Sequence, residues 1–512
     1  MSESTRREFF QKSAATGSAL GIGGLDFLSG LPSVAAAETK LDPKVVALDS
    51  EIEPLVRLLE ETPRAKLLEE VADRIHKGTT YREVLAALFL AGIRNVEPRP
   101  NVGFKFHAVM VVNSAHLASI SSPDGERWLP IFWALDFFKD SQAKNLSESK
   151  GWRMAPVDES AVPPARKARE AVMAALDNWD SAAVDPAIAG FVRTAGAERV
   201  LELFWQYAPR DFRAIGHKAI FAANAKRTLD TIGWRHAEPV LRSLAYALTF
   251  YNGSNPAKSD DAADRSGRKN RELVKQFPEN WRDGKVDESA TVDMLAALRE
   301  ASDQEVCQKC VDLLKKGISP QSIWDAILTG SCELLMRKPG IVSLHSVTSS
   351  NALRYAYEQT GNDETRRWLL LQNAAFVTLF RKELLQREKV DRLPQLSIDK
   401  LEALSPKASG PEAIGEIFAE LAKDRAGAAK KVLGYLKDHP QPKELIDAAR
   451  LLVFLKGNDT HDYKFSSAVL EDYYNISPGW RDRFLAASVF HLRGSTEPDN
   501  RLVQRTRAAL KV

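Results

Sequence analysis

Five short stretches of this chain recur in the same order some 225 to 240 residues later, each within helix-patterned sequence. Lys77-Gly78-Thr79-Thr80, followed by Val84, Ala87 and Leu88, resembles Lys316-Gly317-Ile318-Ser319, followed by Ile323, Ala326 and Ile327. Phe106-His107-Ala108-Val109 with Asn113 matches Leu344-His345-Ser346-Val347 with Asn351, the same spacing from His to Asn in both. Arg127-Trp128-Leu129 pairs with Arg367-Trp368-Leu369, and Gly196 with Arg199-Val200-Leu201 pairs with Gly427 and Lys431-Val432-Leu433. Finally, Gly233-Trp234-Arg235-His236 falls opposite Asn458-Asp459-Thr460-His461. Ordered self-similarity on this scale is what one folding unit used twice leaves behind. It predicts two pseudo-symmetric halves, 41–285 and 286–512, joined through the Gly, Ser, Asn and Asp-rich stretch that begins at Asn252.

The unit itself reads as helix. Leu58, Leu59, Leu67, Leu68, Val71 and Ile75, then Val84, Leu85, Leu88, Phe89 and Ile93, recur at three and four residues, and no convincing run alternates at two. Gly78, Gly196, Gly317 and Gly457 follow such runs as C-terminal caps do, while Pro163-Pro164 and Pro239 sit where a first turn tolerates proline. The expectation is an all-α chain of about eighteen to twenty helices in an α/α helical-repeat or bundle architecture.

Residues 1–37 are a different kind of sequence. Thr5-Arg6-Arg7-Glu8-Phe9-Phe10 precedes a mildly apolar Gly/Ala/Ser-rich stretch from Ser13 to Leu31 and an Ala35-Ala36-Ala37 cleavage site. This segment resembles a twin-arginine signal, which implies recognition by the twin-arginine export machinery, a periplasmic or extracellular location, and export in a folded state with any cofactor already inserted. After it, no run of roughly 18 apolar residues occurs, so no transmembrane segment is expected in the mature chain.

Composition removes several function classes. The 71 Lys and Arg balance 68 Asp and Glu and are interspersed with them, so no basic field exists to grip nucleic acid. There is no P-loop, dinucleotide fingerprint, G-x-S-x-G elbow or HExxH, hence no nucleotide cofactor is expected. Cys307-x-x-Cys310 lies inside a helical pattern with neither a second pair nor a following histidine. That spacing supports neither a four-thiolate zinc site nor a c-type haem, leaving a disulfide or an inert thiol pair.

The chemistry therefore falls to the histidines. His107 and His345 occupy equivalent places in the repeat, as do His236 and His461, and each stands near the start of a helix. Two related pairs converging where the halves meet would make a nitrogen-rich metal site, with Glu238 and Asp462 as ligands or ring-orienting partners and Asn113 and Asn351 beside them. His217, with Asn224 on the same helical face, has no histidine counterpart and reads as a second site or supporting group. An unbroken helix of 19 residues would separate His217 from His236 by about 28 Å, so both can serve one ion only if the chain turns back near Gly233.

Leu344-His345-Ser346-Val347-Thr348-Ser349-Ser350-Asn351-Ala352-Leu353-Arg354 resembles the histidine-valine-threonine and alanine-leucine-arginine run of questin oxidase-like proteins. About a dozen residues carry the likeness, and Phe106-His107-Ala108-Val109 shares part of it. The resemblance implies histidine-centred oxidative chemistry. Together these readings predict an exported metal-dependent oxidoreductase acting on a small organic substrate at the junction of the halves. Iron or copper would activate oxygen or carry electrons; zinc, the lesser expectation, would sharpen a water nucleophile. The rival expectation is a non-enzymatic helical scaffold or binding protein whose histidines are structural.

Overall fold

The computed structural model describes residues 42–251 and 254–511, which contain 23 α-helices, short 3-10 turns and no strand; one isolated bridge pairs Lys285 with Ile318. The all-α expectation holds, with a few more helices than the pattern of apolar residues separates. Residues 1–41, and with them the export-signal reading, lie outside the described residues. None of the described helices is long and apolar enough to cross a membrane.

The repeat that sequence shows most strongly is built by two copies of one local device. Helix Arg64–His76 ends at Gly78 (φ 103°), where the Thr79 N–H reaches back to the Arg74 carbonyl, and Tyr81–Asn95 starts after a Thr80–Glu83 capping box. Helix Asp303–Lys315 ends at Gly317 (φ 78°), the Ile318 N–H reaches the Leu313 carbonyl, and Ser319 caps Pro320–Arg337. A left-handed residue that turns the chain while satisfying the last carbonyls is what makes glycine necessary at both places.

Eight helices place the residues discussed below: α1 (Tyr81–Asn95), α2 (His107–Met110), α3 (Val112–Ile120), α4 (His217–Ile232), α5 (Ala237–Leu248), α6 (Ile341–Gln359), α7 (Asp363–Glu388) and α8 (Thr460–Asp472). α4 packs on α6, α6 on α7 and α8, and α8 on α3, so a seam between early and late sequence runs through this group. Nearly every residue of α6 from Val342 to Arg354 is buried, and so are most of α4 and α8. Helices covered on all sides lose the one-sided apolar stripe and must instead bury hydrogen-bonded polar groups.

The approach of α4 to α6 depends on Gly216. It precedes the helix at φ 76°, and a Cβ there would stand 2.4 Å from the Ser349 Cβ. Left-handed backbone and the absence of a side chain together let the start of α4 lie directly on α6. His217 is the first residue past that contact.

The expected disulfide does not form. Cys307, Cys310 and Cys332 are free, buried thiols; the Cys307 thiol donates to the Leu371 carbonyl, and burial pushes the Cys307 and Cys310 thiols far above the usual range. Protonated and enclosed, they are inert packing groups.

Candidate metal centre

Four imidazoles meet at the seam: His107 at the start of α2, His217 at the start of α4, His345 one turn into α6, and His461 in the first turn of α8. All are at most 5 % exposed. Ring centroids lie 5.0 Å apart for His107 and His217, 4.6 Å for His217 and His345, 5.2 Å for His345 and His461, and 4.8 Å for His461 and His107, closing a ring of four. The Nε2 atom of His217 is 3.2 Å from that of His107 and 2.8 Å from that of His345. Candidate ligand atoms of His107, His345 and His461 all lie within 4.8 Å of one another.

The outer nitrogens decide what the inner ones carry. His345 Nδ1 is 2.6 Å from the Ile341 carbonyl, His217 Nδ1 is 3.3 Å from the Asn101 carbonyl, and His461 Nδ1 is 2.5 Å from an Asp459 carboxylate oxygen. Carbonyls and carboxylates only accept, so each of these Nδ1 atoms bears the hydrogen. His107 Nδ1 is 3.1 Å from the Thr460 hydroxyl, whose own hydrogen is directed at Asp459 3.4 Å away, which makes the fourth Nδ1 a donor as well. Burial holds His107, His217 and His345 well below the usual histidine range, and lowers His461 despite the Asp459 carboxylate. The rings are therefore neutral near pH 7, and their Nε2 atoms are bare lone pairs facing a common point.

Two bare lone pairs 2.8 Å apart repel unless a cation sits between them. Nitrogens bound to one ion at about 2.0–2.1 Å stand roughly 2.9 to 3.4 Å from each other, which is the spacing of these Nε2 atoms. The His461 Nε2, buried and without any protein donor, is the polar atom such an ion would satisfy. Hydrogen-bonded Nδ1–H groups behind each ligand are the usual means of fixing ring orientation at a metal.

Local sequence explains how each ring is delivered. The loop before α2 turns through Val102 at φ 56°, an uncommon backbone for a buried β-branched residue, and in doing so presents the Asn101 carbonyl to His217. Phe104, 66 % exposed, lays its ring 5.5 Å from His107 and 5.8 Å from His461, shielding them on the outer side. Asp459 caps α8 and holds both the backbone N–H and the ring of His461.

A fifth nitrogen belongs to this group. Lys464, 2 % exposed and one turn beyond His461 on α8, donates from Nζ to His107 Nε2 at 3.2 Å. Burial brings its ammonium down to about 7, against the opposing pull of Asp459. Lys464 also borders a small polar space, about 10 Å³ and thus room for one water, lined by Asn113, Asn224, Arg227, Asn351 and Glu471.

The structure redistributes the residues that the sequence singled out. His107, His345 and His461 come together, and His217 joins them in place of His236. His236 must be withdrawn from the ligand set: α4 runs unbroken from His217 to Ile232, roughly 24 Å, before Gly233 (φ 110°) ends it. There His236 accepts from Arg235 Nε at 3.3 Å in a separate cleft with Arg82 and Trp234. Glu238 is likewise elsewhere, paired with Arg193 at 2.7 Å. Asp462 does not orient a ligand ring; it completes the α8 capping box and pairs with Arg493 at 2.6 Å. Asn113 faces the small polar space, whereas Asn351 donates to Glu471 and Asp472 at 2.9 and 3.0 Å.

Lys464, Asp459 and Thr460 carry roles that sequence reasoning missed. The signal was present in Asp459-Thr460-His461-x-x-Lys464, where a cap, a ligand and a residue on the same helical face follow one another within a turn and a half. No protein-family model, curated protein or solved structure matches this chain.

Proposed function

We propose that the chain is a histidine-ligated metalloenzyme whose ion is held by the Nε2 atoms of His107, His217, His345 and His461, and that it carries out oxidative chemistry on a small organic substrate. The observation that carries the reading is the set of four outward Nδ1–H groups, each spent on an acceptor, which leaves four inward lone pairs without a proton to share. An all-nitrogen neutral donor set suits iron, copper or zinc rather than magnesium or calcium. Iron or copper would supply the redox chemistry; this chain's part is to fix four rings, exclude bulk water with Phe104 and the buried helices, and keep the Lys464 amine beside the ion. Loading before export through the twin-arginine route, with a periplasmic or extracellular destination, agrees with a centre enclosed this deeply.

The test is metal analysis of the full chain purified from its exported fraction. One ion per chain in the wild type, lost in His217→Ala plus His345→Ala, supports the reading. A folded, metal-free wild type that takes up neither iron, copper nor zinc on reconstitution contradicts it. Spectroscopy then separates the chemistries: a redox-active signal agrees with the oxidoreductase, whereas stoichiometric zinc overturns it.

A further inference from the structure

A second cleft, sharing no residue with the histidine site, opens between helices Ala165–Asn178, Ala197–Tyr207, Ala262–Leu273 and α7, with a volume of about 390 Å³. That size suits one small organic molecule. Its polar groups fall into two sets of opposite charge, each left short of a partner.

On one side are two guanidinium groups. Arg210 lies 4.2 Å over the Tyr207 ring; two of its nitrogens reach Asp177 and the Leu176 carbonyl at 3.3 and 3.2 Å, but its Nε is buried with no acceptor. Arg271 rests 4.8 Å over the face of Trp368, is exposed, and makes no ion pair among the described residues. On the other side is Asp264, whose side chain is fully buried and whose two oxygens receive no hydrogen bond. Arg213 Nε stands 3.3 Å from it, misaligned for one. A buried carboxylate without a donor and a buried guanidinium nitrogen without an acceptor each cost free energy that a ligand can recover. Between them the lining is apolar, from Met173, Pro256 and the edge of Trp368.

We propose that this cleft binds a free aromatic amino acid, with its ammonium on Asp264, its carboxylate on Arg210 and Arg271, and its side chain against Met173, Pro256 and Trp368. The zwitterion follows from the pairing of unmet charges: a simple anion would leave Asp264 without a donor, and a simple amine would leave Arg210 Nε without an acceptor. Arginine stacked on an aromatic face is pre-organised for a planar carboxylate, so little ordering is needed on binding.

Calorimetric titration of the full chain tests this, with L-phenylalanine as the probe and 3-phenylpropanoate and 2-phenylethylamine as single-charge analogues. Saturable binding of about one L-phenylalanine per chain is expected, with each analogue at least about tenfold weaker, and Arg271→Gln and Asp264→Asn each weakening L-phenylalanine by about tenfold or more. Arg271 is exposed, so its replacement leaves folding intact; thermal melting checks Asp264→Asn. No saturable binding, equal binding of 3-phenylpropanoate, or unchanged binding by Arg271→Gln overturns the proposal. Metal content is measured separately, so this result and that for the histidine site fall independently.

Discussion

The two ends of α4 offer the same ingredients and reach opposite outcomes. At its start, Gly216 (φ 76°) precedes His217 and a buried lysine; past its end, Gly233 (φ 110°) precedes Arg235 and His236. At the start, three further imidazoles arrive from α2, α6 and α8, and a backbone carbonyl claims the His217 Nδ1. At the end, His236 meets only its neighbour's guanidinium, a donor that occupies its Nε2 lone pair. What distinguishes a metal centre from a helix-end histidine is thus what the other half of the chain brings to it, and which ring nitrogen is already spent.

The largest effect separating the two ends is metal retention. His217→Ala is expected to remove the bound ion, whereas His236→Ala leaves one ion per chain; loss of metal in the second variant would break the contrast. Next comes the far end of the seam helix α8, where Asp472 is buried beside Glu471 and accepts from Asn351. Burial and the Glu471 charge push its carboxyl up to about 7. Because the folded state keeps a proton that the unfolded chain has lost, stability falls as pH rises from about 4 to 7, and the cost is constant above that. Asp472→Asn should then raise stability above pH 7 by up to about 4 kcal/mol, a gain that vanishes near pH 4 in denaturant titrations. A gain that stays the same across this range would assign it to packing instead.

Gly216→Ala comes third. Its Cβ meets Ser349 at 2.4 Å and its φ is left-handed, so about 3 kcal/mol of stability should be lost, read as a lower melting temperature. Gly233→Ala, where the added Cβ meets only the tip of Arg82 at 3.1 Å, should cost about 1 kcal/mol. Smallest is Asp459→Asn. Losing the charged partner of the His461 ring should weaken metal affinity about 10- to 100-fold in chelator competition, without altering the fold.

Much of this was legible in the sequence, and the limits have physical causes. Periodicity revealed helices because each buries a face, and Gly78 and Gly317 marked the repeat because only glycine turns the chain that way. His107, His345 and His461 stood out by position. His217 did not, since its place in the repeat falls opposite Pro442-Lys443 and has no histidine to match. The partners that fix His217 and His345 are main-chain carbonyls, which leave no residue-type signal. Lys464 was hidden for a related reason: a lysine in a helix ordinarily faces solvent, and only the packing of α8 against α3 and α6 encloses this one.

The central claim is that four Nε2 atoms share one ion. A crystal structure of the full chain, with anomalous data collected at the metal edges, tests it most directly. The account predicts a single anomalous peak about 2.0–2.2 Å from the Nε2 atoms of His107, His217, His345 and His461, and none near His236. An ordered, peak-free cluster with His217 and His345 still in Nε2 contact, from protein offered iron, copper and zinc, would contradict it.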